Sequence, residues 1–190
     1  MAVNHWRSVP PAHRRWVVLN AVIGAAVSNL LINAAIAWVS SIGHPHIPLW
    51  SVPLQGGPNL LTDTFGTFFL LPFTTCIVVT LAVRQVRGRG LLGDLEQHQQ
   101  GRTWLSTLPT PLLRRAATLG LWVLVPLGPL AAAILAIGFG GGASRSDFIL
   151  YKTVLGLVLG FVVTPLIALA AMGDAATQTG PTAEPAQAPS

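Results

Sequence analysis

The chain alternates between long apolar runs and short polar connections. The runs predict transmembrane helices at about 16–42, 62–83, 111–138 and 148–171. Each is close to or longer than the roughly 20 residues that a helix needs to cross a hydrocarbon core of about 30 Å. The pattern therefore predicts an all-α, polytopic membrane protein, a bundle of four transmembrane helices within residues 16–172.

Polar segments flank and divide these runs. Residues 1–15 form a basic tail, residues 84–110 a polar loop, and residues 173–190 an Ala-, Pro- and Thr-rich tail without periodicity that we expect to be disordered. The connection 43–60 contains four prolines and a Gly-Gly pair, which exclude a regular helix. We expect it to lie against the membrane surface, with Trp50 as an interfacial anchor.

Composition supports a lipid environment. Only 9% of the 190 residues are charged and 52% are hydrophobic, whereas soluble domains carry roughly 25% charged residues. A single cysteine, Cys76, excludes an intramolecular disulfide and lies in an apolar run, where it is expected to be buried.

The basic residues predict an orientation. Of the 11 Lys and Arg residues, three lie in the tail before the first run and six between 84 and 115, so only Arg145 and Lys152 fall on the other side. The positive-inside rule then places both termini and the 84–110 loop in the cytoplasm. Anionic lipid at the cytoplasmic face accounts for the net charge of +5 without nucleic acid.

Polar side chains inside the runs are candidates for a site. Asn29 and Asn33 lie one turn apart in the first run, where lipid offers no hydrogen-bond partner. They either join helices by hydrogen bonds or line a path for a substrate or ion.

Asp63 and Lys152, the only lysine, should lie about one turn inside the outer boundary. An ion pair would remove the cost of two isolated charges in the membrane, with Thr67, Tyr151 and Thr153 as further donors. Alternatively, Asp63 caps its helix, Lys152 reaches the interface, or the two residues transfer protons.

Small residues at four-residue spacing predict close helix packing. Gly156 and Gly160 continue the face of Lys152, and Gly128 and Ala132 mark a similar ridge in the third run. Such ridges are typical of a tight bundle or of an interface with a second copy or another membrane protein. Thr110 and Pro111 are expected to begin the third helix, Thr110 as its N-cap and Pro111 in its first turn.

Motifs for catalysis are lacking, so we do not expect an enzyme. The chain has no GxSxG sequence, and its histidines fall on both predicted sides of the membrane, which disfavours a metal site. No cofactor is expected either, since no histidine lies within a predicted span to hold haem.

Four phrases carry a resemblance: IPLW at 47–50, FLLPFTTC at 69–76, YK at 151–152 and TPLIAL at 164–169. Together they resemble a group of small four-span proteins of the bacterial cytoplasmic (inner) membrane, a resemblance that implies this location and the architecture but no activity. We therefore expect a non-catalytic component that packs with itself or a partner. The alternative is a small permease or channel with a polar site from spans one, two and four; a membrane enzyme is a weaker one.

Overall fold

The computed structural model describes residues 11–51, 57–89, 108–109 and 111–173, and this part of the chain is mostly helical. Helix α1 is followed by eight residues in wide, π-type turns (the π segment) and then by α2, so residues 11–40 are helical throughout. In chain order the elements are α1 (Pro11–Trp16), the π segment (Val17–Gly24), α2 (Ala25–Ser40), β1 (His46–Ile47), α3 (Leu60–Gly88), α4 (Leu112–Gly138), β2 (Ala143–Ser144) and α5 (Arg145–Gly173).

Three of these helices are long and apolar enough to cross a membrane: α3, α4 and α5. Helix α2 is apolar but has only 16 residues, which corresponds to about 24 Å at 1.5 Å per residue. The described chain is thus compatible with a multi-pass membrane protein, and the expectation of four spans is met only in its coarser form.

The helices pack in a definite order. Helix α5 packs along both α2 and α3, and α3 in turn packs along α4, whereas α2 and α4 share no extended contact within the described residues. The main core lies among α3, α4 and α5; its buried side chains include Phe68, Leu71, Val79, Val83, Leu119, Leu159, Val163 and Ile167. Large apolar side chains outside this core, such as Val125, Ile134 and Val158, remain exposed, as expected of a surface that faces lipid.

A small polar cap covers one end of the helices, which we call the cap end: α2 and α4 end there, and α3 and α5 begin there. Strands β1 and β2 pair antiparallel, with His46 opposite Ser144 and Ile47 opposite Ala143. Gly142 precedes β2 with φ 91°, and a side chain there would meet the carbonyl oxygen of Ile47 at 2.6 Å. Glycine is therefore required for the two connections to approach.

In its described residues, 43–51 and 57–59, the 43–60 connection contains no regular helix. Part of it turns back over the helix ends, and its position against a membrane surface stays a prediction. Ile47 is fully buried beside Leu60 and Phe148, and the backbone nitrogen of Leu60 donates to the carbonyl oxygen of Pro48 at 3.1 Å. Ile47 is thus buried by the protein itself, while Trp50 is exposed.

Helix ends also differ from the predicted limits. Helices α3 and α5 extend beyond 62–83 and 148–171 at both ends, because polar caps and first turns continue each helix past its apolar run. At α4 the N-cap residue is Pro111, without a side-chain cap; Pro111 thus precedes the first turn that we expected it to occupy. Thr110, most of the 84–110 loop and the tail beyond 173 lie outside the described residues.

Candidate functional site

The ion pair predicted between Lys152 and Asp63 is present. The Lys152 ammonium donates a hydrogen bond to Oδ1 of Asp63, which joins α5 to α3 near the cap end. The Lys152 side chain is 5% exposed and that of Asp63 19%. Lys152 therefore does not extend to the surface, and that alternative is wrong.

Asp63 does not cap its helix, because the cap is Asn59. The side-chain Oδ1 of Asn59 accepts a hydrogen bond from the backbone nitrogen of Thr62 at 2.8 Å, and its Nδ2 donates to Oγ of Ser51 at 3.2 Å. Asn is among the best N-cap residues for this reason. Asp63 follows Thr62 in the chain, and its carboxylate binds the Lys152 ammonium instead of capping the helix.

Other donors near the pair have partners of their own. The Thr64 hydroxyl donates to the carbonyl oxygen of Leu60 at 2.6 Å and lies 2.9 Å from the hydroxyl of Tyr151, which gives α3 and α5 a second polar contact. Thr67 and Thr153 donate to carbonyl oxygens one turn earlier in their own helices. Of the three expected donors, only Tyr151 reaches across to the facing helix, and its partner is Thr64 rather than Asp63.

The two asparagines of α2 lie over the two glycines of α5. A Cβ atom built at Gly156 would be 2.5 Å from Nδ2 of Asn33, and one built at Gly160 would be 3.0 Å from Nδ2 of Asn29. Higher numbers in α2 thus face lower numbers in α5, so the helices run antiparallel. Nδ2 of Asn33 donates to the carbonyl oxygen of Asn29 at 2.8 Å, within α2 itself.

Four buried polar atoms have no hydrogen-bond partner in the described part of the protein. They are Asn29 Nδ2, Asp63 Oδ2, Thr80 Oγ1 and Thr164 Oγ1. A polar atom buried without a partner costs about 1–3 kcal/mol. A bound water or ion, or a proton on the Asp63 carboxylate, would supply a missing interaction and reduce this cost.

Glycine also lets α3 and α4 approach each other. A Cβ atom built at Gly120 would lie 2.8 Å from both the ring and the carbonyl oxygen of Phe69, and one at Gly128 would lie 3.6 Å from the ring of Phe65. Ala132, one turn beyond Gly128, is half-buried. The expected ridge residues Gly128 and Ala132 thus lie on α4, and the closest backbone approach is at Gly120.

The candidate polar residues do not converge on one cavity. Asp63 and Lys152 pair between α3 and α5, whereas Asn29 and Asn33 lie between α2 and α5. Two clefts of the described surface lie elsewhere, one beside Arg14 and Arg15 and one at the cap end beside Arg145. Among the described residues no three metal-ligating side chains come together.

Comparisons with protein-family models, with curated proteins and with solved structures found no match to this chain. The resemblance of its short phrases to small four-span proteins accordingly adds nothing to what the geometry supports.

Sequence reasoning missed three features. Ser144 is the N-cap of α5: its hydroxyl accepts from the backbone nitrogen of Asp147 at 3.2 Å and donates to Oδ2 of Asp147 at 2.7 Å, a pair with a recognisable S-x-x-D spacing. Gly120 could have been found from its eight-residue spacing to Gly128. Arg145, which stacks over the Trp38 ring at 4.6 Å and donates to Oγ of Ser41 at 3.2 Å, has no such signal because its partners lie in a distant helix.

Proposed function

We propose that this protein is a non-catalytic component of a bacterial inner membrane that crosses it four times and packs with a second copy or another membrane protein. Its polar interior groups then serve helix packing. The observation that carries this proposal is the Asp63–Lys152 pair, held between α3 and α5 with little exposure and apart from both described clefts.

A fourth crossing requires more than α2. Helix α2 alone is shorter than the hydrocarbon thickness. The unbroken helical stretch from residue 11 to residue 40 has 30 residues and consists of α1, the π segment and α2. Its length supports a first crossing that includes the wide turns. The arginine distribution then favours a cap end outside the cell and termini inside.

Support for a packing role also comes from the second polar cluster. Asn29 and Asn33 occupy the space that side chains on Gly160 and Gly156 would need, so these amides fill an interface instead of lining an opening. The contact between the helices is one of close packing, because the hydrogen bond of the Asn33 amide stays within α2. The exposed apolar faces of α2 and α4 are available to lipid or to a partner helix.

Replacing the pair tests the proposal. Lys152→Met leaves the Asp63 carboxylate buried and unpaired, and we expect a loss of about 3–5 kcal/mol of stability. Asp63→Asn combined with Lys152→Met removes both charges, so its thermal unfolding in mild detergent should return close to that of the native protein. The same double variant should still be captured by a differently tagged native copy or by the partner that native protein retains.

The outcome that contradicts a packing role is a double variant that is as stable as native protein yet no longer captures that copy or partner. A native protein that co-purifies with neither would contradict the partner half of the proposal directly.

A small permease is the second candidate, favoured by the unpartnered Oδ2 of Asp63 and Nδ2 of Asn29. It predicts that native protein in liposomes dissipates an imposed ion or proton gradient, whereas the stable double variant does not. Equal leakage by both proteins would exclude a transport role for the pair.

A further inference from the structure

The cap-end cleft has the features of a site for a phosphate group. It has a volume of about 570 Å³, and its lining includes the apolar side chains of Trp38 and Ile149 and the polar side chains of His44, Arg145 and Ser146. Apolar and polar walls therefore meet in one depression, at the end of α2 and the beginning of α5.

Arg145 is held in place at this cleft with most of its donors unused. Its Nε donates to Ser41 and its guanidinium plane lies over the ring of Trp38. The two terminal nitrogens have no protein partner among the described residues. A guanidinium fixed in this manner binds phosphate well, because two parallel N–H groups match two phosphate oxygens.

The nearest acidic group does not neutralise this cation. Asp147 accepts a hydrogen bond from the hydroxyl of Ser144, the N-cap of α5, at 2.7 Å, and no ion pair joins it to Arg145 among the described residues. The Ser146 hydroxyl donates to Oγ of Ser144 at 2.9 Å, because Ser144 gives its own hydrogen to Asp147, so a ligand here would be bound by Arg145 and not by this hydroxyl.

The surroundings of the cleft identify the source of the phosphate. Towards the cap end of α2 the exposed apolar side chains include Ile36, Trp38 and Val39, and near the start of α5 they include Leu150. Tryptophan beside an arginine at the end of an apolar helix surface is typical of the headgroup region of a bilayer. A ligand with both a phosphate and acyl chains fits this arrangement, whereas a soluble phosphate would leave the apolar wall uncovered.

We propose that the cleft at Arg145 binds the phosphodiester group of a membrane glycerophospholipid, whose acyl chains lie along the exposed faces of α2 and α5. The site is separate from the Asp63–Lys152 pair and does not depend on the packing role. It lies opposite to the cytoplasmic arginines that the charge distribution assigns to anionic lipid.

The test is a lipid titration of the full-length protein in detergent, read by native mass spectrometry and by thermal unfolding. Phosphatidylglycerol is the probe, diacylglycerol with the same acyl chains lacks the phosphate, and glycerol 3-phosphate lacks the chains. We expect phosphatidylglycerol to bind most tightly and to raise the unfolding temperature, as a ligand of the folded state does.

Ser146→Asp is the decisive variant, because it places a carboxylate beside the guanidinium while the existing contacts of Arg145 remain. An acidic residue in the first turn of α5 is also compatible with the helix dipole. Phosphatidylglycerol affinity at this site should fall about tenfold, whereas the uncharged control Ser146→Asn should stay within about twofold of the native protein.

Arg145→Gln should weaken binding at least as much, and Arg89→Gln, at the opposite end, should leave the cap-end lipid bound. Loss of folding in Arg145→Gln would be visible in its unfolding curve. The comparison of Ser146→Asp with Ser146→Asn would then still test the proposal. Equal binding of phosphatidylglycerol and diacylglycerol, or equal lipid affinity of Ser146→Asp and Ser146→Asn, would overturn the proposal.

Discussion

Two helix interfaces in this protein use glycine for close approach but fill the space in different ways. Between α3 and α4, Gly120 faces the aromatic ring of Phe69 and its backbone carbonyl oxygen, which cannot rotate away. Between α2 and α5, Gly156 and Gly160 face the amides of Asn33 and Asn29. At Gly120 the approach is limited by a backbone atom, and at Gly156 by the Asn33 side chain, which has a choice of rotamers. At Gly160 the Cα atom of Ala26, 3.1 Å from a built Cβ atom, adds a backbone limit to the Asn29 amide.

The largest effect is expected at Gly120. Gly120→Ala forces its new methyl group against the Phe69 carbonyl oxygen, and overpacking of this kind costs about 1–3 kcal/mol. We expect the upper part of this range, measured by denaturant or thermal unfolding in detergent. Adding Phe69→Ala should not restore stability, because the carbonyl oxygen stays in place; full recovery would show that the ring alone sets the distance.

A smaller and reversible effect is expected at Gly156. Gly156→Ala meets only the Asn33 side chain, so we expect a loss of about 1–2 kcal/mol. Asn33→Ala in the same chain removes the clashing atoms and should recover most of the loss in the same unfolding assay. If the double variant were no more stable than Gly156→Ala, the two interfaces would not differ in the way described.

The smallest effect is expected at Gly66, which lies in α3 with nothing within 4 Å of a built Cβ atom. Gly66→Ala should be neutral or raise stability by up to about 1 kcal/mol, because alanine is the better helix former. This variant is the matched control for the other two. A loss comparable to that of Gly120→Ala would mean that space around the glycine does not decide the outcome.

The two interfaces also differ in how far sequence alone could predict them. The four-residue spacing of Gly156 and Gly160 correctly indicates a closely packed face, and the cost of a lone charge in a membrane correctly indicates the partner of Lys152. That Asn33 would cover Gly156 could not be predicted. The two residues lie on helices at opposite ends of the chain, and nothing local sets the relative shift of those helices.

The cap was beyond sequence reasoning for a similar reason. Its strands have only two residues each, too few for an alternating pattern, and Arg145 acts on Trp38 and Ser41 more than 100 positions away. The start of α3 was misjudged because Asp63 stands out in an apolar stretch, whereas Asn59 is one polar residue among several turn formers. The wide turns at Val17–Gly24 have no counterpart in the hydrophobic pattern, which continues through them.

The packing of α2 along α5 has a consequence for the order in which the protein assembles. The ribosome synthesises α2 well before α5, and in the folded protein the glycines of α5 cover the amides of Asn29 and Asn33. During synthesis both amides therefore stay uncovered until α5 has been made, and the interface between α2 and α5 can form only then. A factor that covers polar side chains of newly made helices would therefore be needed for the longest time by α2.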